Sequence, residues 1–70
     1  MRDPGRIYLF INKLALLWAT QVPDWRFGQL IDNVFRTIRI DGKDPFYLEE
    51  NELLSYFEKY LEVNGSENTA

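Results

Sequence analysis

The stretch that decides the fold runs from Pro23 to Arg36 and reads PDWRFGQLIDNVFR. Pro23 ends a preceding helix because its ring disfavours helical backbone at the residue before it, and Asp24 is the expected cap of a new helix. Apolar residues then recur at the spacing of one helical face. This face consists of Phe27, Leu30, Ile31, Val34, Phe35 and Ile38. The pattern predicts an amphipathic helix near residues 25–38, in which Gly28 permits close approach to a neighbour.

A longer and more apolar helix is predicted before this stretch, near residues 4–21. Asp3 can cap its first amides, and Pro4 suits the first helical position. The core face is expected at Ile7, Phe10, Ile11, Leu14, Leu17 and Trp18. The short turn at Pro23 predicts that the first two helices form an antiparallel hairpin.

Leu9 and Leu16 lie almost opposite that core face, two turns apart on the same side of the first helix. A three-helix domain has little with which to cover this side. We therefore expect the two leucines to contact another protein or a second copy of the chain, which would form a homodimer through the first helix. The alternative is that they are ordinary exposed leucines, which are common on monomers.

The segment after the second helix is predicted to be an ordered loop followed by a third helix near residues 50–62. Asp-Gly at 41–42 and Asp-Pro at 44–45 are turn signals, and Phe46–Leu48 is expected to hold the loop on the core as an extended segment. The third helix should pack through Leu53, Leu54, Tyr56, Phe57, Tyr60 and Leu61. The chain is thus predicted to be all-α: a small three-helix domain over residues 1–63, with a flexible tail at 64–70.

The composition argues against catalysis. The 70 residues include neither cysteine nor histidine, which removes thiol chemistry, the commonest metal ligand and the usual near-neutral acid or base. A calcium loop starting at Asp41 fails because Lys43 and Pro45 stand where oxygen ligands are needed. We therefore expect no enzyme, no cofactor and no metal site.

Charge is unevenly divided along the chain. Residues 1–40 carry six basic and three acidic side chains, whereas residues 41–70 carry two basic and eight acidic ones, so the two halves should attract each other. The sequence shows no signal-peptide pattern, and the apolar run over residues 7–19 is too short to span a bilayer. A cytoplasmic protein without a membrane partner is expected.

Two polar groups are further candidate contact surfaces. The outer face of the second helix carries side chains that can read base edges, namely Trp25, Arg26, Gln29, Asn33 and Arg36. The acidic chain makes nucleic acid an unlikely partner, and Arg36 can instead pair with Asp32 one turn earlier. The other group is acidic: Asp44, Glu49, Glu50 and Glu52. These acids could bind a partner by imitating a nucleic-acid backbone, or form an ordinary solvated surface.

Three motifs together carry a family resemblance: MRDPxRI at residues 1–7, PDxRFGQLI at 23–31 and DPFYLE at 44–49, with Trp18 between the first two. With them the chain resembles a family of small uncharacterised bacterial and phage proteins. The resemblance implies occurrence in bacteria, prophages and phages, where small acidic helical proteins often bind a host protein and some inhibit defence systems, anti-CRISPR proteins among them. This chain departs from the family in its first helix, where apolar residues replace charged ones. These positions are Tyr8, Leu9, Ala15, Leu16 and Ala19.

The leading hypothesis from the sequence is a non-enzymatic protein-interaction module, encoded by a phage or mobile element, that binds or inhibits a host protein. The alternative is a small nucleic-acid-binding transcriptional regulator that uses the second helix. A third reading is a subunit of a larger assembly.

Overall fold

The computed structural model describes the backbone of residues 2–68 and the side chains of residues 2–63. Within that part the chain forms three α-helices and no strand: α1 (Gly5–Gln21), α2 (Phe27–Ile40) and α3 (Glu50–Asn68). A short 3₁₀ turn, Pro45–Tyr47, lies between α2 and α3. The all-α three-helix prediction and the ordered loop before the last helix are confirmed.

The core lies where the three helices meet, and α2 contributes most to it. Leu30, Val34 and Ile38 of α2 are completely buried, whereas α1 buries only Leu14. The remaining buried hydrophobic residues are Val22, Phe57 and Leu61. The core face of α1 was predicted too broadly, because Ile7 and Ile11 are each about half exposed (47% and 50%).

The main packing partner of α1 is α3. An ion pair joins Arg2 to Glu49 at 2.6 Å, and the rings of Phe10 and Phe57 meet edge to face with centroids 6.2 Å apart. Because residue numbers rise together in both helices, α1 and α3 run parallel. The sequence paired α1 with α2 as a hairpin, whereas in the structure α1 packs more extensively on α3 than on α2.

The start of α1 follows the sequence closely. The Asp3 carboxylate accepts a hydrogen bond from the Gly5 amide at 2.9 Å, which satisfies one of the free amides at the helix start. Pro4 already has helical backbone angles, and the Ile7 amide donates to its carbonyl. The Asp3 carboxylate thus satisfies a free amide as predicted, but Pro4 stands at the capping position and Gly5, not Pro4, is the first helical residue.

The start of α2 differs from the prediction. Arg26, not Asp24, occupies the capping position, and its amide donates to the Gln29 side-chain oxygen at 2.8 Å. Asp24 is displaced because Val22 to Trp25 form a tight turn, closed by the Trp25 amide on the Val22 carbonyl. The prediction for Gly28 is also wrong, since a Cβ atom there would meet nothing within 4 Å.

The end of α2 requires glycine. Gly42 has a left-handed φ of +82°, which lets the Lys43 amide return to the Ile38 carbonyl and close the helix. The helix begins and ends two residues later than predicted, because the capping position lies at Arg26 and the closing turn at Gly42.

The loop before α3 is held differently from the prediction. The Asp44 carboxylate accepts a hydrogen bond from the Phe46 amide, which folds residues 45–47 into a 3₁₀ turn instead of an extended segment. Pro45 is buried and Leu48 half-buried, while Phe46 and Tyr47 point to solvent. Pro45 and Leu48 therefore attach the loop to the core.

The third helix begins at Glu50 as predicted and continues to Asn68, past Gly65. Glycine inside a helix costs only about 1 kcal/mol, so Gly65 alone does not stop it. The flexibility expected for residues 64–70 stays a prediction, and Thr69 and Ala70 lie outside the described residues.

Candidate protein-binding surface

The outer side of α1 carries large apolar side chains exposed to solvent. Leu9 and Leu16 are 66% and 65% exposed, two turns apart on the same side of the helix. We call these two residues the leucine pair. A single exposed leucine is normal on a protein surface, whereas aligned apolar residues on one helix are typical of contact surfaces.

Leu9 also borders a groove between α1 and α3. The cavity has a volume of about 210 Å³. Its apolar lining comes from Leu9, Phe10 and Leu54, and its rim from Arg6, Lys13, Glu50 and Asn51. We call it the α1–α3 groove. An apolar floor with a charged rim can receive a single apolar side chain from another protein and orient the groups around it.

An ion pair lies at the end of the groove formed by the starts of α1 and α3. The Arg6 guanidinium lies 2.7 Å from the Glu50 carboxylate, and both side chains are about one-third exposed. Close by, Arg2 pairs with Glu49. The attraction predicted between the basic and acidic halves of the chain is thus visible as two ion pairs joining the start of α1 to the start of α3.

These ion pairs give a structural explanation to acidic residues that the sequence offered as partner-binding candidates. Glu49 and Glu50 each face an arginine, and Asp44 caps the Pro45–Tyr47 turn. Glu52 is exposed at the start of α3, where its charge suits the helix dipole. Three of the four acids therefore have structural roles.

The polar face of α2 also has structural explanations. Gln29 caps the helix, and Arg36 lies 2.7 Å from Asp32, which is the pair that the sequence predicted. Trp25 is half-buried: its ring packs against Tyr60 with centroids 6.2 Å apart, and its carbonyl accepts a hydrogen bond from the Trp18 indole. These contacts lie at the start of α2, along its outer face and at its junctions with α1 and α3.

Two candidates on this face remain. Asn33 is half-buried, and its carbonyl accepts a hydrogen bond from the Thr37 hydroxyl. Arg26 caps through its backbone, while its side chain is exposed. Trp25, Gln29 and Arg36 thus have partners within the fold, while the side chain of Arg26 is exposed.

The exposed aromatic turn was missed in the sequence. Phe46 and Tyr47 are 84% and 77% exposed, and their rings meet edge to face at 5.0 Å. Buried Pro45 and the Asp44 cap fix the backbone beneath them. The available signal was the Asp-Pro dipeptide, which favours a tight turn over an extended segment and so turns the following side chains outward.

A second hollow lies between α2 and α3. Its volume is about 310 Å³, and it is lined by Thr37, Asp41, Tyr56, Lys59, Tyr60 and Val63. The Tyr56 hydroxyl donates to Asp41 at 2.9 Å, so its central polar contact is internal to the fold.

Neither a metal site nor a membrane helix is found in the described part of the chain. Among those residues, no three His, Cys, Asp or Glu side chains come together to hold a metal ion. None of the helices over residues 2–68 combines the length and the apolar character needed to cross a bilayer.

The geometry therefore identifies an apolar surface on α1, continued by the α1–α3 groove, and a separate aromatic turn. Compared with known proteins, the chain matches no family model, no curated protein and no solved structure.

Proposed function

We propose that this chain is a non-enzymatic protein-interaction module that binds another protein through the outer side of α1. The observation that carries the proposal is the exposure of the leucine pair on the most apolar helix of the domain. Neither side chain belongs to the buried core or to the residues packed against it. Their burial against a partner would stabilise the complex by about 1.5–3 kcal/mol for each leucine.

The α1–α3 groove supports the same proposal. A partner helix laid along α1 could cover Leu9 and Leu16 and place one apolar side chain over Phe10 and Leu54. The rim supplies Lys13 and the Arg6–Glu50 pair for polar contacts. This arrangement combines an apolar centre with a polar border, as protein interfaces commonly do.

We further propose that the chain is encoded by a phage or mobile element, acts in the bacterial cytoplasm, and inhibits the host protein that it binds. This part rests on the sequence resemblance. Inhibition by an apolar contact has more support than acidic mimicry, because Glu49 and Glu50 are already paired with arginines. An anti-CRISPR or other anti-defence role is one form of this proposal.

The test is capture from bacterial lysate with matched surface variants. We expect the wild-type chain to retain a stoichiometric partner, and Leu9→Glu and Leu16→Glu each to lose it while keeping the helical circular dichroism of the wild type. Ser55→Glu, which adds the same charge on an exposed position of α3, is the control and should retain the partner. Equal capture by all four proteins would contradict the proposed surface.

The nucleic-acid alternative makes an opposite prediction. If α2 read DNA, Arg26→Ala and Arg36→Ala would weaken a salt-dependent affinity. We expect no DNA binding at low salt, because the chain carries a net charge of −3 and Gln29 is engaged in capping. A salt-dependent affinity that both substitutions reduce would favour the alternative.

A further inference from the structure

A second apolar strip lies on α1, beside the leucine pair and separated from it by Asn12. At 100° per residue it occupies one arc of the helix, and every exposed residue in that arc is apolar. The strip consists of Ile7, Tyr8, Ile11, Ala15 and Ala19. We call these five residues the lateral strip. It is turned by roughly a third of the helix circumference from Leu9 and Leu16.

The lateral strip is large at one end and small at the other. Ile7 and Ile11 are about half exposed and Tyr8 is 72% exposed, whereas the second half of the strip contains only alanines. At the alanine end lies a shallow hollow of about 300 Å³, lined by Ala15, Trp18, Ala19 and Pro23. The same helix face thus carries bulky exposed side chains at one end and a hollow at the other.

We infer that the lateral strip is the contact between two copies of this chain, with their α1 helices antiparallel. A two-fold axis at the level of Lys13 places Ile11 of one copy against Ala15 of the other, and Ile7 against Ala19. Tyr8 then reaches the hollow beside Trp18. A parallel pairing would set isoleucine against isoleucine and leave the hollow empty, so the shape favours the antiparallel arrangement.

Charge and area agree with a second copy as the occupant. Lys13, the charged residue closest to the axis along the chain, lines the α1–α3 groove instead of the strip, so no like charges meet across the contact. Burying the strip in both copies would remove on the order of 1,000 Å² from water, the lower end of the range for specific interfaces. The strip therefore fits a weak, reversible dimer.

The inference rests on the proposed function in one respect, namely that α1 is the interacting element. It assigns the two sides of α1 different partners: the leucine pair binds another protein, and the lateral strip binds a second copy. The dimer would then present two leucine pairs at once, which strengthens binding to a partner with repeated sites.

The test is sedimentation of the wild-type chain and single variants over a concentration series. We expect a monomer–dimer equilibrium for the wild type. Ala15→Glu should weaken it by about tenfold or more, because it places a charge at the centre of an apolar contact. Leu16→Glu is the matched control on the other side of the same helix and should change the dimer affinity by less than about twofold.

A mixing experiment tests the antiparallel register. Ile11→Lys should also weaken the dimer, and a mixture with Ala15→Glu should form a heterodimer because residue 11 of one copy faces residue 15 of the other. If Ile11→Lys does not fold, judged by circular dichroism, the pair Ile7→Lys and Ala19→Glu makes the same test.

Three outcomes would overturn the inference: a wild-type monomer at all concentrations up to about 0.5 mM, equal weakening by Leu16→Glu and Ala15→Glu, or no heterodimer in either mixture. A monomer that still loses its lysate partner on Leu16→Glu would overturn the dimer and leave the proposed function standing. A dimer whose lysate capture is insensitive to Leu9→Glu and Leu16→Glu would overturn the proposed function and leave the dimer standing.

Discussion

Helices α1 and α2 use their apolar residues in opposite ways. In α2 most apolar residues form one stripe, in which Leu30, Val34 and Ile38 are completely buried, and the large exposed ones, Phe27 and Ile40, are the first and last residues of the helix. In α1 the apolar residues surround most of the helix, yet only Leu14 is buried. The difference indicates that the apolar residues of α2 mainly form the core, whereas α1 carries more apolar surface than this domain covers.

The largest expected difference between the helices is in stability. Leu30→Ala, in the fully buried stripe of α2, should lower the free energy of unfolding by about 2–5 kcal/mol because it leaves a cavity in the core. Leu16→Ala, the same change on α1, should alter it by less than about 0.5 kcal/mol. Urea denaturation of the two variants at low protein concentration measures both values. Similar losses would mean that the outer side of α1 takes part in folding.

A smaller effect is expected at the start of α2. Gln29→Ala should destabilise the domain by about 1 kcal/mol, because the Arg26 amide loses its acceptor at the helix start. Gln29→Glu is the control, since it keeps an acceptor and places a negative charge near the positive end of the helix dipole. If Gln29→Ala left thermal unfolding unchanged, this side chain would need a role other than capping.

The smallest expected effect is a gain in stability. Gly28→Ala should raise the free energy of unfolding by about 0.5 kcal/mol, because alanine favours the helix and its Cβ would enter open space. The same denaturation experiment provides the measurement. A loss of stability instead of a gain would support the prediction from the sequence that Gly28 lies in close contact with a neighbouring element.

Helical periodicity and turn residues were sufficient to predict the architecture. The α2 stripe, the Asp3 cap, the Asp41-Gly42 turn and the start of α3 all depend on local chemistry that short segments express on their own. Local chemistry could not place the cap of α2, because the tight turn after Val22 moves the helix start two residues along the chain. It also could not show that Ile7 and Ile11, placed on the core face of α1, stay about half exposed, because their coverage depends on the packing of α1 against α3.

The candidate surfaces likewise divide into features that the local sequence predicts and features that depend on tertiary packing. The exposure of Leu9 and Leu16 follows from their position opposite the core face, so periodicity predicted it. The exposure of Phe46 and Tyr47 depends on how Pro45 and Leu48 attach the loop to the core, which is a tertiary arrangement. The structural roles of Gln29, Glu49 and Glu50 likewise became visible only when their partners were in place.

The central claim is that α1, and not the polar face of α2, is the interacting element of this chain. A dilution series followed by two-dimensional amide NMR tests it most directly, because it reports each residue separately. We predict that the amide signals that shift on dilution cluster in α1 around Ile7, Ile11 and Ala15, while those of Gln29, Asn33 and Arg36 stay constant. Shifts that cluster on α2 would contradict this claim, and spectra that are independent of concentration would contradict the dimer through the lateral strip.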